Sequence, residues 1–147
     1  MITFTLDTRA VTKAIKGLQK GLSDFRPVLK EASTYQLGKV DKQFATEGTE
    51  ITSKWKDLEA RTIRSRIAAG YGAGPILTAS GKMRKSIKQN KLTAKELNIG
   101  SNVSYFKYHQ TGTDKMSQRQ VLGHSKEMTQ KVTDLAHKHL KKSMQNG

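Results

Sequence analysis

The 147 residues contain no cysteine. That excludes a disulfide framework, a thiolate nucleophile and any metal site built on sulfur. Proline occurs twice and tryptophan once, so helix breakers are few and one indole is available to anchor a core. No run of about 18 apolar residues occurs, so no membrane-spanning helix is expected. The opening residues MITFTLDTRA have neither a basic leader nor an apolar h-region. The chain is therefore expected to stay in the compartment where it is made. Apolar residues make up 35% and the mean hydropathy is −0.65. The length suits one domain, 1–147, with a modest core, and partner subunits are expected to cover part of its apolar surface.

Acidic residues are also scarce. Asp and Glu number 12 against 27 Lys and Arg, for a formal net charge of +15. Residues 1–60 carry ten basic and eight acidic side chains, and residues 96–147 carry eight and four. Residues 61–95 carry nine basic side chains and no acidic one: Arg61, Arg64, Arg66, Lys82, Arg84, Lys85, Lys88, Lys91 and Lys95. Counter-charges must come from outside that segment, as nucleic-acid phosphates, an acidic partner surface or solvent ions. The plain alternative is a solvated basic face.

Residues that could carry chemistry fail on spacing. Gly81-Lys82 would need a glycine at 76 and a hydroxyl at 83 to form a phosphate loop, and those positions are Ile76 and Met83. Ser53-Lys54-Trp55-Lys56 has the Ser-x-x-Lys spacing, but its companion motifs are missing. His109, His124, His137 and His139 form no ligand pattern, and His109 is expected to order the Gln110–Gly112 loop by hydrogen bonding. Carboxylates are scattered, so a paired acid–base site is not expected. The chain reads as non-enzymatic, with no cofactor and no metal. Sequence-specific DNA recognition lacks a helix-turn-helix, a zinc finger or an aromatic RNP-like motif. Only Tyr71 lies among the basic residues, so contact with nucleic acid would run through the phosphate backbone.

Periodicity predicts an α+β fold. Ile2, Phe4 and Leu6 alternate with threonines, as in a strand. Asp7 or Thr8 caps a helix whose Val11, Ile15, Leu18 and Leu22 share one face, while Gly17 and Gly21 weaken it. Pro27 is tolerated only near a helix start, so a break is expected near Leu22–Asp24. Phe25, Leu29, Ala32, Leu37, Val40 and Phe44 resume the face, giving a long interrupted helical region over 8–46. Its stripe should pack on a sheet, the commoner destination, or on a neighbouring subunit. Trp55 is a core anchor, to be buried with Leu58 against that helical region. Leu58–Ala69 reads as a helix ended by Gly70, and Tyr71–Pro75 as a loop. Thr78 or Ser80 caps a short helix, and 86–101 reads as a hairpin around Thr93-Ala94-Lys95. Gly112 closes a short helical turn. A third strand is expected near 118–122. Ser125 caps a last helix, with Met128, Val132, Leu135 and His139 on one face. The sheet, small and antiparallel, should be covered on one side by the long helical region and the C-terminal helix.

The order of pieces in the middle of the chain resembles a known family. The pieces are Trp55-Lys56-Asp57-Leu58 with Thr62, Ile76–Met83 with Ser86-Ile87, Ile99-Gly100-Ser101, Tyr105 with His109-Gln110-Thr111-Gly112, and Arg119–Gly123. They span roughly Phe44 to Gly123 and are similar to the phage virion morphogenesis proteins, also called tail completion proteins, of the neck of tailed bacteriophages. Arg-Gln-Val-Leu-Gly stands where the family tends to have an Arg-Pro-Phe-Leu-Gly-like box. Thr113 follows Gly112 where the family often has a second glycine. The resemblance implies structural roles for Trp55, Leu58, Ser80, Gly81, Gly100, His109, Gln110, Gly112, Arg119, Leu122 and Gly123. It also implies a homo-oligomeric ring at the neck or tail end, a hexamer by preference or twelve copies on a portal. Such a ring would meet other neck and tail proteins and touch packaged DNA non-specifically, in the virion and, during assembly, in the host cytoplasm. A free-standing basic nucleic-acid-binding protein is the reading from another class.

Overall fold

Asp24 and Phe25 divide the long N-terminal helical region into α1 (Arg9–Ser23) and α2 (Arg26–Ala45). Asp24 is extended, and its carboxylate accepts the Arg26 backbone N–H at 3.0 Å and pairs with the Arg26 guanidinium at 2.7 Å. Pro27 follows in the first turn of α2, where a missing N–H breaks no helical bond. The break sits where Pro27 required it. The computed structural model describes residues 7–147, so the strand expected over Ile2–Leu6 lies outside the described residues.

Among the described residues, the apolar stripe of α1 packs on no sheet. Val11, Ile15 and Leu22 are 60%, 51% and 48% exposed, while Gly17 and Gly21 are buried. Those glycines face the C-terminal helix α6 (Lys126–Asn146), where the missing Cβ lets two backbones approach closely. A Cβ on Gly17 would stand 2.1 Å from the Ser143 carbonyl oxygen, and one on Gly21 2.8 Å from the Ser143 side chain. Close approach through small residues decides which face of α1 is covered. The weakness that glycine brings to a helix is here the condition for its packing.

α6 in turn packs on α2. Ser125 caps it by accepting the Met128 N–H at 3.1 Å. Lys39 of α2 bridges to Glu50 at 2.6 Å and to Glu127 at 2.5 Å. The two carboxylates hold the Lys39 ammonium well above its ordinary range. Further along α2, Val40 and Phe44 enter the core with Trp55, Ile76, Met83, Ile87 and Val121. The Phe44 and Trp55 rings meet edge to face, 5.8 Å apart. Leu58 is only half-buried against this cluster.

Three short helices and one hairpin complete the molecule: α3 (Ala60–Ala68), α4 (Lys82–Ser86), β1 (Lys88–Leu92), β2 (Leu97–Gly100) and α5 (Phe106–Thr111). The cap of α4 is Gly81 at φ +67°, not Thr78 or Ser80, although the Ser80 hydroxyl accepts the Lys82 N–H at 3.3 Å. The hairpin is antiparallel, from Lys88 opposite Gly100 to Leu92 opposite Leu97, with an irregularity between Gln89 and Lys91. At its tip the Thr93 hydroxyl accepts the Glu96 N–H at 3.0 Å, and the Ala94 carbonyl accepts the Phe25 N–H at 2.8 Å. The fold is α+β, but the sheet has two strands among the described residues. Residues 118–122 form no strand, which corrects the expectation of a third.

Candidate functional site

A partly buried segment outside regular secondary structure still needs partners for its backbone polar groups. Between Gln118 and Leu122, side chains supply them. Gln110, at the end of α5, accepts the Val121 and Leu122 N–H groups on Oε1 at 2.9 and 3.1 Å, and its Nε2 donates to the Leu122 carbonyl. The Gln120 carbonyl accepts from Gln43 Nε2 at 2.9 Å and from Trp55 Nε1 at 3.0 Å. Amides and an indole from α2, from the loop after it and from α5 thus replace a strand ladder.

Arg119 fixes the same segment from its other side. Its N–H donates to the His109 carbonyl at 2.8 Å. Its guanidinium, 8% exposed, donates to the Lys56 carbonyl at 2.9 and 3.0 Å and to the Asp57 carbonyl at 3.2 Å. Five donors in a fixed fork suit this work, and an ammonium would not reproduce it. Gly112 is needed for the return of the chain. Its φ of +74° is left-handed, and a Cβ there would stand 3.0 Å from the Gln118 nitrogen. Thr113 then bridges to Met116, with N–H···O distances of 2.9 and 3.2 Å, so the turn closes without a second glycine.

The His109 ring does not order this loop; Gln110 does. His109 Nδ1 is buried with no hydrogen-bond partner, and the imidazole packs on Tyr105 with ring centres 6.2 Å apart. Burial first, and the Arg119 charge second, push its pKa below the ordinary 6.5. The ring lines a cleft of about 530 Å³ between α3, α4 and the loop before Arg119. Leu58, Leu77, Met83 and Met116 give the cleft an apolar wall. Arg66, on the same wall, donates through Nη1 to the Pro75 carbonyl at 3.1 Å and leaves Nε without a partner. No group of three His, Asp or Glu that could hold a metal ion occurs among the described residues.

The nine cations of 61–95 divide into two sets. Arg66 holds the loop at Pro75, Arg84 pairs with Asp41 at 2.9 Å and stacks on Phe44, and Lys91 pairs with Glu96 at 2.6 Å. Arg61, Arg64, Lys82, Lys85, Lys88 and Lys95 are exposed, and none takes part in an ion pair among the described residues. Of the remaining motif residues, Gly100 ends β2 opposite Lys88, Leu122 is half-buried against the core, and the Gly123 carbonyl accepts from Gln36 at 3.3 Å.

The segments joined by this network, from Trp55 to Gly123, fall inside one continuous match to the phage virion morphogenesis family over residues 6–141. The chain belongs to that family. No curated protein and no solved structure matches it. Membership gives this virion morphogenesis protein a part in building the phage particle and associates it with the virion. No helix among its described residues is long and apolar enough to cross a membrane. In this member of the family, Trp55, Gln110, Arg119 and Gly112 hold one segment in place. Sequence reasoning missed Gln43, which is fully buried and shares the Gln120 carbonyl with Trp55. The sequence carries no signal for it, because Gln43 follows Lys39, Asp41 and Lys42 on a mixed stretch of helix.

Proposed function

We propose that this virion morphogenesis protein forms a ring at the neck or tail end, completing the tail so that it can join the DNA-filled head. The observation carrying this reading is that one subunit has two unlike exposed surfaces. One is the apolar row of α1, and the other is the set of unpaired cations on α3, α4 and the hairpin. A ring subunit needs unlike surfaces, because it meets each neighbour differently and also meets the layers above and below. Six copies suit a tail-end ring, and twelve suit a seat on a portal. The protein then acts by occupying a position rather than by catalysis. In such a ring the exposed Lys95 side chain and the Gly112–Gln118 loop would be the parts to reach a neighbour.

Electron microscopy of lysates from a phage lacking the gene tests the reading. Filled heads and nearly complete tails should accumulate separately, with few joined particles. Normal yields of infectious particles would refute it. The charge of +15 supports a second reading, a free-standing protein that binds duplex DNA through phosphates. Titration with duplex DNA separates the two. Tight, steeply salt-dependent binding by a lone subunit favours the second reading, and its absence favours the ring. Within the ring, reversing Arg64, Lys85 and Lys88 to Glu should block assembly and leave the subunit folded. Arg84 is a poor choice for that test, since its bond to Asp41 and its contact with Phe44 tie it to the fold.

A further inference from the structure

The spacing of the exposed row on α1 is that of a helix–helix seam. Val11, Ile15, Leu18 and Leu22 follow one another at intervals of four, three and four, which are the a and d positions of a heptad with Ile15 and Leu22 at a. Leu18 is half-buried, and the other three are about half exposed. The row is not the face by which α1 meets its own chain, because Gly17 and Gly21 make that contact with α6. Nothing among the described residues covers it.

The placement of charge on the same helix identifies what fits there. In the heptad set by the row, the positions flanking the seam are Thr12, Ala14, Gln19 and Gly21, all uncharged. The cations Arg9, Lys13, Lys16 and Lys20 fall at the outer positions, on the side away from the seam. In a chain of net charge +15 this matters, since two copies brought together repel wherever lysines face each other. An acidic partner would be expected to meet lysines at the flanking positions, and there are none. A second identical helix meets only apolar and neutral residues.

We propose that the α1 row is a self-association surface, where α1 of one copy packs against α1 of a second in a two-fold symmetric pair. A two-fold contact uses the same patch on both copies, and here the patch is uncharged and apolar on each. Two heptads are too short to form a coiled coil in isolation. Each helix, however, is already folded on α6, so pairing orders little further backbone. The proposal goes beyond the ring reading: of the two surfaces named there, it assigns the α1 row to a contact between copies and leaves closure of the ring to the others. A ring closes through unlike surfaces, whereas this contact joins two subunits, or two rings, through like ones.

Analytical ultracentrifugation of the full chain, wild type against Ile15→Glu and Lys13→Glu, tests it. The wild type should sediment as an even-numbered species. Ile15→Glu should cause a twofold loss of mass with an unchanged circular dichroism spectrum, because Ile15 is exposed and its loss opens no core. Lys13→Glu, on the outer side, should leave the mass unchanged. Because the chain has no cysteine, Ile15→Cys and Leu22→Cys provide a second readout under oxidising conditions. At least one should form disulfide-linked dimers much faster than Lys13→Cys. A monomeric wild type overturns the proposal, and so does an oligomer whose mass Ile15→Glu does not change. The latter result would leave a ring closed through other surfaces standing.

Discussion

The Gln120 carbonyl accepts two donors, and this sharing can be measured. Replacing Gln43 with Met keeps the length of the side chain and removes its amide. The Ile51 N–H, held by Gln43 Oε1 at 2.8 Å, then loses its partner, and the bonds to the Thr52 hydroxyl and the Gln120 carbonyl disappear. An unsatisfied buried donor costs about 1–3 kcal/mol, and each ordinary bond lost costs about 0.5–1.5 kcal/mol. The single variant should therefore lose about 2–6 kcal/mol. Trp55→Phe removes the indole donor and some packed volume, for about 1–3 kcal/mol. In either single variant one donor still serves the Gln120 carbonyl. In the double variant none does, so the pair should lose about 1–3 kcal/mol more than the sum of the singles. Urea unfolding of the four proteins closes the cycle. Additivity within about 0.5 kcal/mol, the range found for independent sites, would refute the claim that the two side chains act on one buried acceptor.

Two further predictions rest on the neighbouring turn and ring. Gly112→Ala should destabilise by about 1–3 kcal/mol, the cost of a non-glycine residue held at such a backbone conformation; an unchanged urea midpoint would show that the turn relaxes. His109 has a folded pKa below its ordinary 6.5, so it contributes full stability above pH 6.5 and loses it as pH falls from 6.5 through the folded value. NMR titration of the four histidines should show His109 protonating below 6.5, and a titration at or above 6.5 would contradict the burial argument.

Much of the fold was legible because it follows from local rules. Pro27 located the break between α1 and α2, Ser125 located the start of α6, and Thr93-Ala94-Lys95 marked the hairpin tip. Two features were not legible, for different reasons. Periodicity showed that α1 has an apolar face, but not which face would be covered. That was settled by how closely Ser143 can approach Gly17, a distance between residues far apart in the chain. At 118–122 no strand forms, and the backbone partners are side chains of Gln43, Trp55 and Gln110. No window along the sequence contains those pairings. The site was legible as an ordered set of motif pieces, but the role of Gln110 rather than His109 emerged only from the contacts. For the same reason, the cations of 61–95 could be counted in the sequence but not sorted into paired and free.

The order in which the helices attach has a consequence for how the molecule opens. α1 is packed on α6 and α6 on α2, whereas the apolar cluster around Phe44, Trp55 and Val121 includes neither α1 nor α6. Separating the outer pair uncovers the flank of α2 without disturbing that cluster. The protein therefore has two tiers of opening free energy. Amides in the middle of α1 exchange with solvent through partial opening of the outer tier. The Val121 amide, held by Gln110, should exchange only when the whole domain unfolds.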